Sequence, residues 1–451
     1  MEDVGPLGYD TRDLPQVTRS VRDDILPARE EDRASWTAAL GLQATIYATP
    51  AVLQYAQMSE QVLRPGAAGR MASFTHERIP AGPGFHAFRA PNVDTLYSNA
   101  WVDLRDEPVE LGLPDFGGRY FTVQVVDAYS NSVNISARTF GAAAARYWLV
   151  SPGWSGEAPP EVTVVRVATT IVWLLMRIQV IDGDLDAVHG LQDRVTIAGG
   201  APGRDLGPPV GADAVEEDWR AFYRAFDAVL RLNAFPRDEL AHVRQFRSLG
   251  LLGPTPWDAA ALDAATATAM ERSFATAQSM LSSARSQLGV PTGTGWTRVL
   301  DKGAHGHNFL ARAVMNHVGL GANVAEENTS FNTHVDADGQ ALAGCNGPYV
   351  LEFDVPPPQT AFWSVTLYHA ETGRLHANPL HRYALGSATL PDEGPARLVL
   401  SHADPGTVNW LPCPDSEFYL ILRIYSPGRE VLAGSWLPAP VRRMRQQEGT
   451  P

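Results

Sequence analysis

A short polar stretch, Pro91-Asn92-Val93-Asp94-Thr95-Leu96-Tyr97, holds residue types that acid/base chemistry uses. A partly buried carboxylate can take up a proton, and a nearby phenol can donate or relay one. We therefore interpret Asp94 and Tyr97 as catalytic residues and Asn92 as a substrate-binding residue. The alternative is structural, because Asn92 and Asp94 could instead cap a turn through their side chains.

A second group of candidates surrounds residues 361–368, an aromatic and β-branched stretch that is typical of a strand. An arginine beside tyrosine and asparagine side chains can hold a carboxylate or an enolate oxygen through its planar fork of donors. We predict that the following loop folds back and brings Arg382 against Tyr368, and we assign both residues catalytic roles. The alternative is that Arg382 is tied to backbone carbonyl groups across a loop. Three further residues are predicted to bind substrate, namely Tyr120, Trp363 and Asn378.

Five of the 12 histidines lie in two short stretches, with His305 and His307 in the first and His369, His376 and His381 in the second. Grouped imidazoles are typical of metal sites. However, residues 308–316 lack the glutamate that a His-x-His metal motif would require, so we assign no metal. Because histidine titrates near neutral pH, we predict substrate-binding roles for His305 and His369.

Lysine is almost absent from the chain. Lys302 is the only lysine among 36 basic residues, and the others are arginines. Any mechanism that uses a Schiff base or a lysine base must therefore employ Lys302 or the amino terminus.

Composition limits the classes of molecule that the chain is expected to bind. The chain has 451 residues, a formal net charge of -14 and 45% hydrophobic residues, which describes a globular protein without a nucleic-acid-binding surface. The sequence has no apolar run of membrane-spanning length, and its first residues do not resemble a signal peptide. With only two cysteines, we predict a cytoplasmic protein that binds a small molecule, and the sequence leaves open whether it forms homo-oligomers.

The motifs of common cofactors are missing. We find no glycine-rich dinucleotide or P-loop motif, no zinc-protease motif and no nucleophile elbow. The sequence therefore predicts chemistry without a cofactor.

The hydrophobic pattern divides the chain into strand-rich and helical regions. Short alternating segments with turns between them predict antiparallel strands over 91–180 and from about 320 onward. We predict a mainly β protein with α insertions, in which two β-sandwich or jelly-roll domains are separated by a helical segment. The predicted boundaries are 1–30 for an N-terminal arm, 31–200 and 301–451 for the β-rich domains, and 201–300 for the helical linker region.

Three sequence blocks resemble a bacterial protein family. The block from Pro91 to Ser98 resembles the N-terminal half of DUF1254/DUF1214 proteins, and Pro356–Tyr383 and Asn409–Pro427 resemble their C-terminal half. The resemblance implies a two-part β-rich fold and gives no reaction. The chain departs from the family at Ser330 and Ala343, where relatives usually carry tyrosine and aspartate, so it could have a divergent activity.

From these features we predict an enzyme that acts on a small, largely apolar metabolite by acid/base chemistry. A lyase, isomerase or cyclase is favoured, and the setting could be specialised metabolism. Two alternatives remain open at this point. One is a hydrolase with a water activated by Asp94 or a histidine, and the other is a binding or structural β protein without catalysis.

Overall fold

The structure is a computed structural model that describes residues 25–85, 90–201, 203, 205–233, 236, 239–390 and 395–444. It is β-rich with helical segments, which confirms the predicted fold class. Most of the predicted N-terminal arm lies outside the described residues. Among the described residues, no helix is both long and apolar enough to cross a membrane.

The N-terminal sandwich consists of two sheets packed face to face. Its strands are β1 (Thr75–His76), β2 (Thr95–Asp103), β3 (Val109–Leu113), β4 (Phe121–Val126), β5 (Ser132–Ser136), β6 (Ala145–Val150), β7 (Val162–Arg166), β8 (Ile171–Gln179) and β9 (Thr196–Ala198). The larger sheet has the order β1-β2-β8-β4-β5, and the smaller has the order β7-β6-β3-β9. Alternate apolar residues from both sheets, such as Leu96, Val123 and Leu111, form the core between them.

The C-terminal sandwich is built in the same way. Its strands are β10 (Val290–Pro291), β11 (Thr297–Val299), β12 (Asn328–Thr333), β13 (Tyr349–Phe353), β14 (Gln359–His369), β15 (Ala384–Gly386), β16 (Ala396–Ser401), β17 (Trp410–Pro412), β18 (Phe418–Pro427) and β19 (Arg442–Arg443). The larger sheet has the order β10-β11-β12-β18-β14-β15, and the smaller has the order β17-β16-β13-β19. Trp363, Val365 and Leu422 lie in the core between the sheets.

The two sandwiches share one strand order. When β10 is set aside, β11-β12-β18-β14-β15 repeats β1-β2-β8-β4-β5, and β17-β16-β13-β19 repeats β7-β6-β3-β9. Both include the same exception to antiparallel pairing, since β6 pairs with β7 and β16 pairs with β17 in parallel. The chain is therefore a tandem repeat at the level of topology, which no fixed period in the sequence had indicated.

A layer of helices lies beside the N-terminal sandwich. Its members are α1 (Glu30–Met58), α4 (Ala212–Glu217), α5 (Trp219–Leu232), α6 (Leu240–Arg244), α7 (Ala264–Ala284) and α8 (Phe309–Gly319). Three short helices belong to the sandwiches instead, namely α2 (Ala137–Phe140) and α3 (Leu185–Gln192) in the N-terminal one and α9 (Arg429–Ala433) in the C-terminal one. Apolar residues of α1 and α5 pack with Trp101 and Trp173 from the larger N-terminal sheet. The layer thus joins sequence from before, between and within the two sandwiches.

Two local details complete the description. Proline usually breaks or kinks a helix, but α1 continues through Pro50, and the residues on either side of it are buried in the core of the helical layer. The strands β10 and β11 lie within the segment predicted to be a helical linker, and β11 pairs with β12 in the larger C-terminal sheet.

Candidate functional site

The two larger sheets turn polar faces toward each other. Side chains alternate along a strand, so Trp363 and Val365 enter the C-terminal core while Ser364 and Thr366 emerge on the opposite face. Directly opposite Ser364 on β18 stands Arg423, and Tyr425 stands opposite Phe362. In the N-terminal sheet, the corresponding polar face is formed by Tyr97, Thr122, Gln124, Arg177 and Gln179.

Asp94 connects these faces. Its Oδ2 accepts hydrogen bonds from Ser364 Oγ at 2.6 Å and from Tyr425 Oη at 3.3 Å, both on the C-terminal sheet. Asn92 fixes this arrangement, because its Oδ1 accepts from the Asp94 amide and its Nδ2 donates to Tyr425 Oη. Burial raises the pKa of Asp94, although the two hydroxyl donors and the charge of Arg423 oppose the shift. Asp94 is thus a carboxyl group whose protonated form is favoured more than in water.

Arg423 lies beside this carboxyl group. Its Nη1 donates to Tyr368 Oη at 2.8 Å and to Thr366 Oγ1 at 3.3 Å, and its Nη2 donates to the Ala90 carbonyl at 2.9 Å. Tyr368 in turn donates to the Pro91 carbonyl at 2.7 Å. The guanidinium therefore ties the C-terminal sheet to the segment that leads into β2.

Arg177 makes the reciprocal connection from the N-terminal sheet. Its Nη1 donates to Gln124 Oε1 at 2.7 Å, and its Nη2 donates to the carbonyl of Gly321, on the segment that leads into β12. The guanidinium also lies over the Tyr97 ring, with 5.0 Å between its carbon and the ring centroid. Tyr97 is thus held beneath a cation on the polar face.

The strand registers show that Arg177 and Arg423 are topologically equivalent. Arg177 on β8 pairs with Tyr97 on β2 and Thr122 on β4. Arg423 on β18 pairs with Ser330 on β12 and Ser364 on β14, the strands that occupy the same places in the repeat. Each arginine donates to the carbonyl group of a segment from the opposite half.

The same correspondence relates Asp94 to Glu327. Asp94 immediately precedes β2, and its carbonyl accepts from Val180; Glu327 immediately precedes β12, and its carbonyl accepts from Ser426. Glu327 Oε1 also reaches across the halves, accepting from Ser136 Oγ at 2.6 Å and Arg138 Nε at 2.8 Å. Each half therefore contributes one carboxylate that is held by the other half, and Glu327 is fully buried whereas Asp94 is partly buried.

Lys302 has no equivalent lysine in the other half, because it is the only lysine of the chain. Its side chain is buried, and Nζ donates to Asn328 Oδ1 at 3.3 Å, at the start of β12. Burial lowers its pKa to about 7, and the charges of Arg423 and Arg177 act in the same direction. Near neutral pH, a large fraction of this amine is uncharged and able to accept a proton or attack an electrophile.

The facing polar surfaces are partly accessible to solvent. Tyr97, Arg177, Ser330 and Arg423 are partly accessible, although each lies in the middle of a strand on a face that is turned toward the other half. A narrow cleft of about 40 Å³ also reaches Asp94 between β14 and β15, which is room for a few water molecules. The site is polar and small, which favours a small charged molecule over a large apolar one.

The structure brings together about half of the residues predicted to form the site. Asn92, Asp94, Tyr97 and Tyr368 all lie on or beside the facing polar surfaces. Tyr120 joins them through ring contacts with Phe362 and Tyr425, with centroid distances of 5.7 Å and 5.2 Å.

Three predicted residues lie elsewhere. Arg382 donates to the carbonyl groups of Val408 and Trp410, so the contact with Tyr368 that we predicted for it is made by Arg423. Trp363 points into the C-terminal core, because odd-numbered residues of β14 face inward. Asn378 bonds only to its own loop, including the Arg382 backbone, in the contacts that the structure describes.

The predicted histidines do not join the site either. His305 is buried beside Asp301, with 3.1 Å between His305 Nδ1 and Asp301 Oδ1, and burial lowers the pKa of its imidazole although Asp301 opposes the shift. His369 lies at the end of β14 beside His376, with 3.4 Å between ring nitrogens. Within the described residues, no group of three or more potential ligands is arranged to hold a metal ion.

Sequence reasoning missed Lys302, Arg177, Arg423 and Tyr425 as site residues. Two signals were present. The only lysine was noted but was not assigned a role, and the pattern Leu-x-x-Arg-Ile occurs twice, at 174–178 and at 420–424. The second signal marks the equivalent strands β8 and β18.

Comparison with known protein families agrees with the division of the chain into two sandwiches. Residues 71–199 match the family model of DUF1254, a protein of unknown function, and residues 327–429 match that of DUF1214, also a protein of unknown function. The first match covers β1 to β9 of the N-terminal sandwich, and the second covers β12 to β18 of the C-terminal sandwich. No curated protein is significantly similar to the chain.

One solved structure shows the same fold. The VPA0106 protein from Vibrio parahaemolyticus superimposes with a TM-score of 0.70 at 22% identity, covering 91% of this chain and 100% of that chain. An uncharacterized protein from Burkholderia cenocepacia aligns over 94% of this chain and 91% of its own at 14% identity, with a TM-score of 0.43. On the two family matches, the chain belongs to the proteins that combine a DUF1254 and a DUF1214 domain.

Proposed function

We propose that the protein is an enzyme that performs acid/base chemistry on a small organic anion bound between the two larger sheets. The observation that carries this proposal is the position of Lys302, a buried amine bonded to Asn328 at the start of β12, whose pKa is lowered by burial and, in addition, by the charges of two arginines, one from each half. Lyase and isomerase reactions are the favoured types.

The charge balance supports an anionic substrate. The charges of Arg423 and Arg177 act on Lys302, and the carboxylate whose charge acts on Arg423 is Asp94. Buried cations are costly unless anions or hydrogen-bond acceptors compensate them. Lys302 uses one of its three possible donors in the contacts described, so a carboxylate entering the site would find free donors. The largely apolar metabolite expected from the sequence fits this lining less well.

The protonation states support acid/base chemistry. An uncharged Lys302 would act as the base, because its pKa of about 7 matches neutral conditions. Asp94, whose pKa is raised by burial, would hold or donate a proton from the opposite side of the site. Tyr425 and Ser364 hold the Asp94 carboxyl group in place.

We also propose that the protein works in the cytoplasm. Both Cys345 and Cys413 are free thiols, and a buried thiol such as that of Cys413 persists most readily in a reducing compartment.

Hydrogen exchange in heavy water tests the proposed activity. A panel of small carboxylic and α-keto acids is incubated with the protein, and proton NMR follows replacement of C–H protons by deuterium. We expect exchange with at least one compound, and a loss on the order of a hundredfold in Lys302→Met and in Arg177→Gln.

The matched control is Arg298→Gln. Arg298 is also a partly buried arginine on a strand that donates to a backbone carbonyl, that of Val431, but it does not contact the polar faces. Its exchange rate should equal that of the unmodified protein. Absence of exchange across the panel, or undiminished exchange in Lys302→Met, would contradict the proposal.

A hydrolase is the second candidate, because the cleft beside Asp94 has room for water. In that case, cleavage of small esters or amides would be lost in Asp94→Asn and retained in Lys302→Met. The opposite dependence would favour the first proposal.

A further inference from the structure

We propose that Lys302 forms a covalent imine with the carbonyl group of a small α-keto acid, whose carboxylate is bound by Arg177 and Arg423. This inference rests on the proposed function and specifies its substrate class. The carboxylate and the carbonyl carbon of an α-keto acid are directly bonded. A single site with a nucleophilic amine beside guanidinium groups therefore matches both groups at once.

The backbone holds Lys302 firmly in this position. The next residue, Gly303, has a φ of +69°, and a Cβ there would approach the Val324 amide nitrogen to 2.6 Å. The Gly303 carbonyl also accepts from the Ser132 amide of the N-terminal sandwich at 2.9 Å. The lysine is therefore positioned by contacts to both halves, and only glycine allows the chain to pass at this point.

The side chain reaches the polar face of the C-terminal sheet. Its partner Asn328 pairs with Tyr425 across the strands, two residues from Arg423. Asn328 Nδ2 is buried and has no partner among the described residues, so it can donate to an incoming oxygen. An amide donor and two guanidinium groups thus accompany the amine.

The chemistry requires no other reactant. The uncharged amine attacks the carbonyl carbon and forms a carbinolamine, a C–N bond replacing the C–O π bond. Loss of the former carbonyl oxygen as water gives the protonated imine. Counted from the ammonium form, amine and keto acid give iminium and one water, with charge conserved. The iminium withdraws electrons from the neighbouring carbon, so a C–H proton or a carboxyl group on that carbon is lost more readily.

The unusual lysine content makes this proposal easy to test. The protein is incubated with pyruvate or α-ketoglutarate, reduced with cyanoborohydride, and analysed by intact mass and peptide mapping. Reduction converts the imine to a stable secondary amine. We expect one adduct per chain, mapped to Lys302, since the only other primary amine is the amino terminus.

Three controls accompany the experiment. Acetate has no keto group and should give no adduct. Lys302→Arg and Lys302→Met should give none at an internal site, and protein unfolded in urea should react at Lys302 far more slowly than folded protein. An adduct at the amino terminus alone, or equal labelling of folded and unfolded protein, would overturn the proposal.

Binding measurements separate this inference from the proposed function. If saturation-transfer NMR shows pyruvate binding that is lost in Arg177→Gln, but reduction traps no adduct, the imine is excluded and acid/base catalysis remains. If neither binding nor exchange occurs with any acid of the panel, the proposed function falls as well.

Discussion

Lys302 should make the stability of the protein depend on pH in a defined direction. Its folded pKa is about 7, whereas an exposed lysine titrates near pH 10.4. Between these values, the unfolded chain binds a proton that the folded chain lacks, so unfolding takes up a proton. Raising the pH across this window should therefore increase the free energy of unfolding.

Urea unfolding of the unmodified protein and of Lys302→Met at several pH values measures this effect. Lys302→Met lacks this titration, so the unfolding free energy of the unmodified protein should rise relative to that of the variant as the pH rises from about 7 to about 10. Parallel curves would show that the Lys302 pKa is not lowered in the folded protein.

Asp94 and Glu327 offer an internal comparison. They are topologically equivalent and both lie between the halves, but Asp94 contacts Tyr425 and Ser364, whereas Glu327 is paired with Arg138. We expect Asp94→Asn to lower the exchange rate about a hundredfold with little loss of stability, because an amide oxygen can still accept from Ser364.

Glu327→Gln should do the reverse. It removes a buried charge from the pair with Arg138 and should lower the unfolding free energy, while the rate per folded molecule stays unchanged. Exchange kinetics and thermal unfolding measured on the same preparations decide between the two patterns. Equal rate losses in both variants would show that Asp94 also has only a structural role.

At the scale of elements, Arg312 on α8 forms a buried ion pair that links two helices of the helical layer. Its side chain is fully buried, Nη1 donates to Glu239 Oε1 at 2.9 Å, and Tyr47 of α1 donates to the other oxygen of Glu239 at 2.6 Å. The guanidinium carbon also lies 4.8 Å from the Phe309 ring centroid. The charge pair thus fixes α8 against α1.

Breaking this pair should be costly. Arg312→Leu leaves the Glu239 carboxylate buried without its cation, and we expect a loss of about 3–5 kcal/mol in unfolding free energy. Arg312→Leu with Glu239→Gln should recover part of that loss. Chemical denaturation of both variants checks the prediction, and additive losses would contradict the coupling.

The sequence predicted individual strands better than the contacts that their residues make with distant parts of the chain. Alternation along β14 separates Trp363, Val365 and Leu367 from Ser364, Thr366 and Tyr368, and the sequence alone contains this pattern because the period of a strand is local. The partner of Tyr368 is a non-local property. Arg382 is close in sequence but its loop runs toward Val408, whereas Arg423 is brought opposite by the pairing of β14 with β18.

For the same reason, the repeat was missed. Equivalent strands share a register and a place in the sheet, while few of their residues are identical beyond Leu-x-x-Arg-Ile. The predicted roles of the site residues, including Asp94 and Tyr97, remain predictions until activity is measured.

At the scale of the whole molecule, the two sandwiches should unfold together. Arg177 and Arg423 bond across the halves, and the core of the helical layer includes Trp101 and Trp173 from the N-terminal sheet. Calorimetry should show one transition with equal calorimetric and van't Hoff enthalpies. A fragment ending at residue 200 should not fold alone, because the apolar surface of α1 would lose its partners α5, α7 and α8. Two resolved transitions, or a folded fragment, would contradict this expectation.

The repeated sandwich with a single lysine has a consequence for symmetry. A dimer of identical sandwiches would present every side chain twice, so a lysine beside the facing sheets would bring two ammonium groups close to two guanidinium groups. Their mutual repulsion would oppose assembly. Because both copies are joined in one polypeptide, each can diverge, and one amine can serve an arrangement to which both copies contribute an arginine. Covalent linkage thus permits an asymmetric reactive centre on a scaffold whose architecture is duplicated.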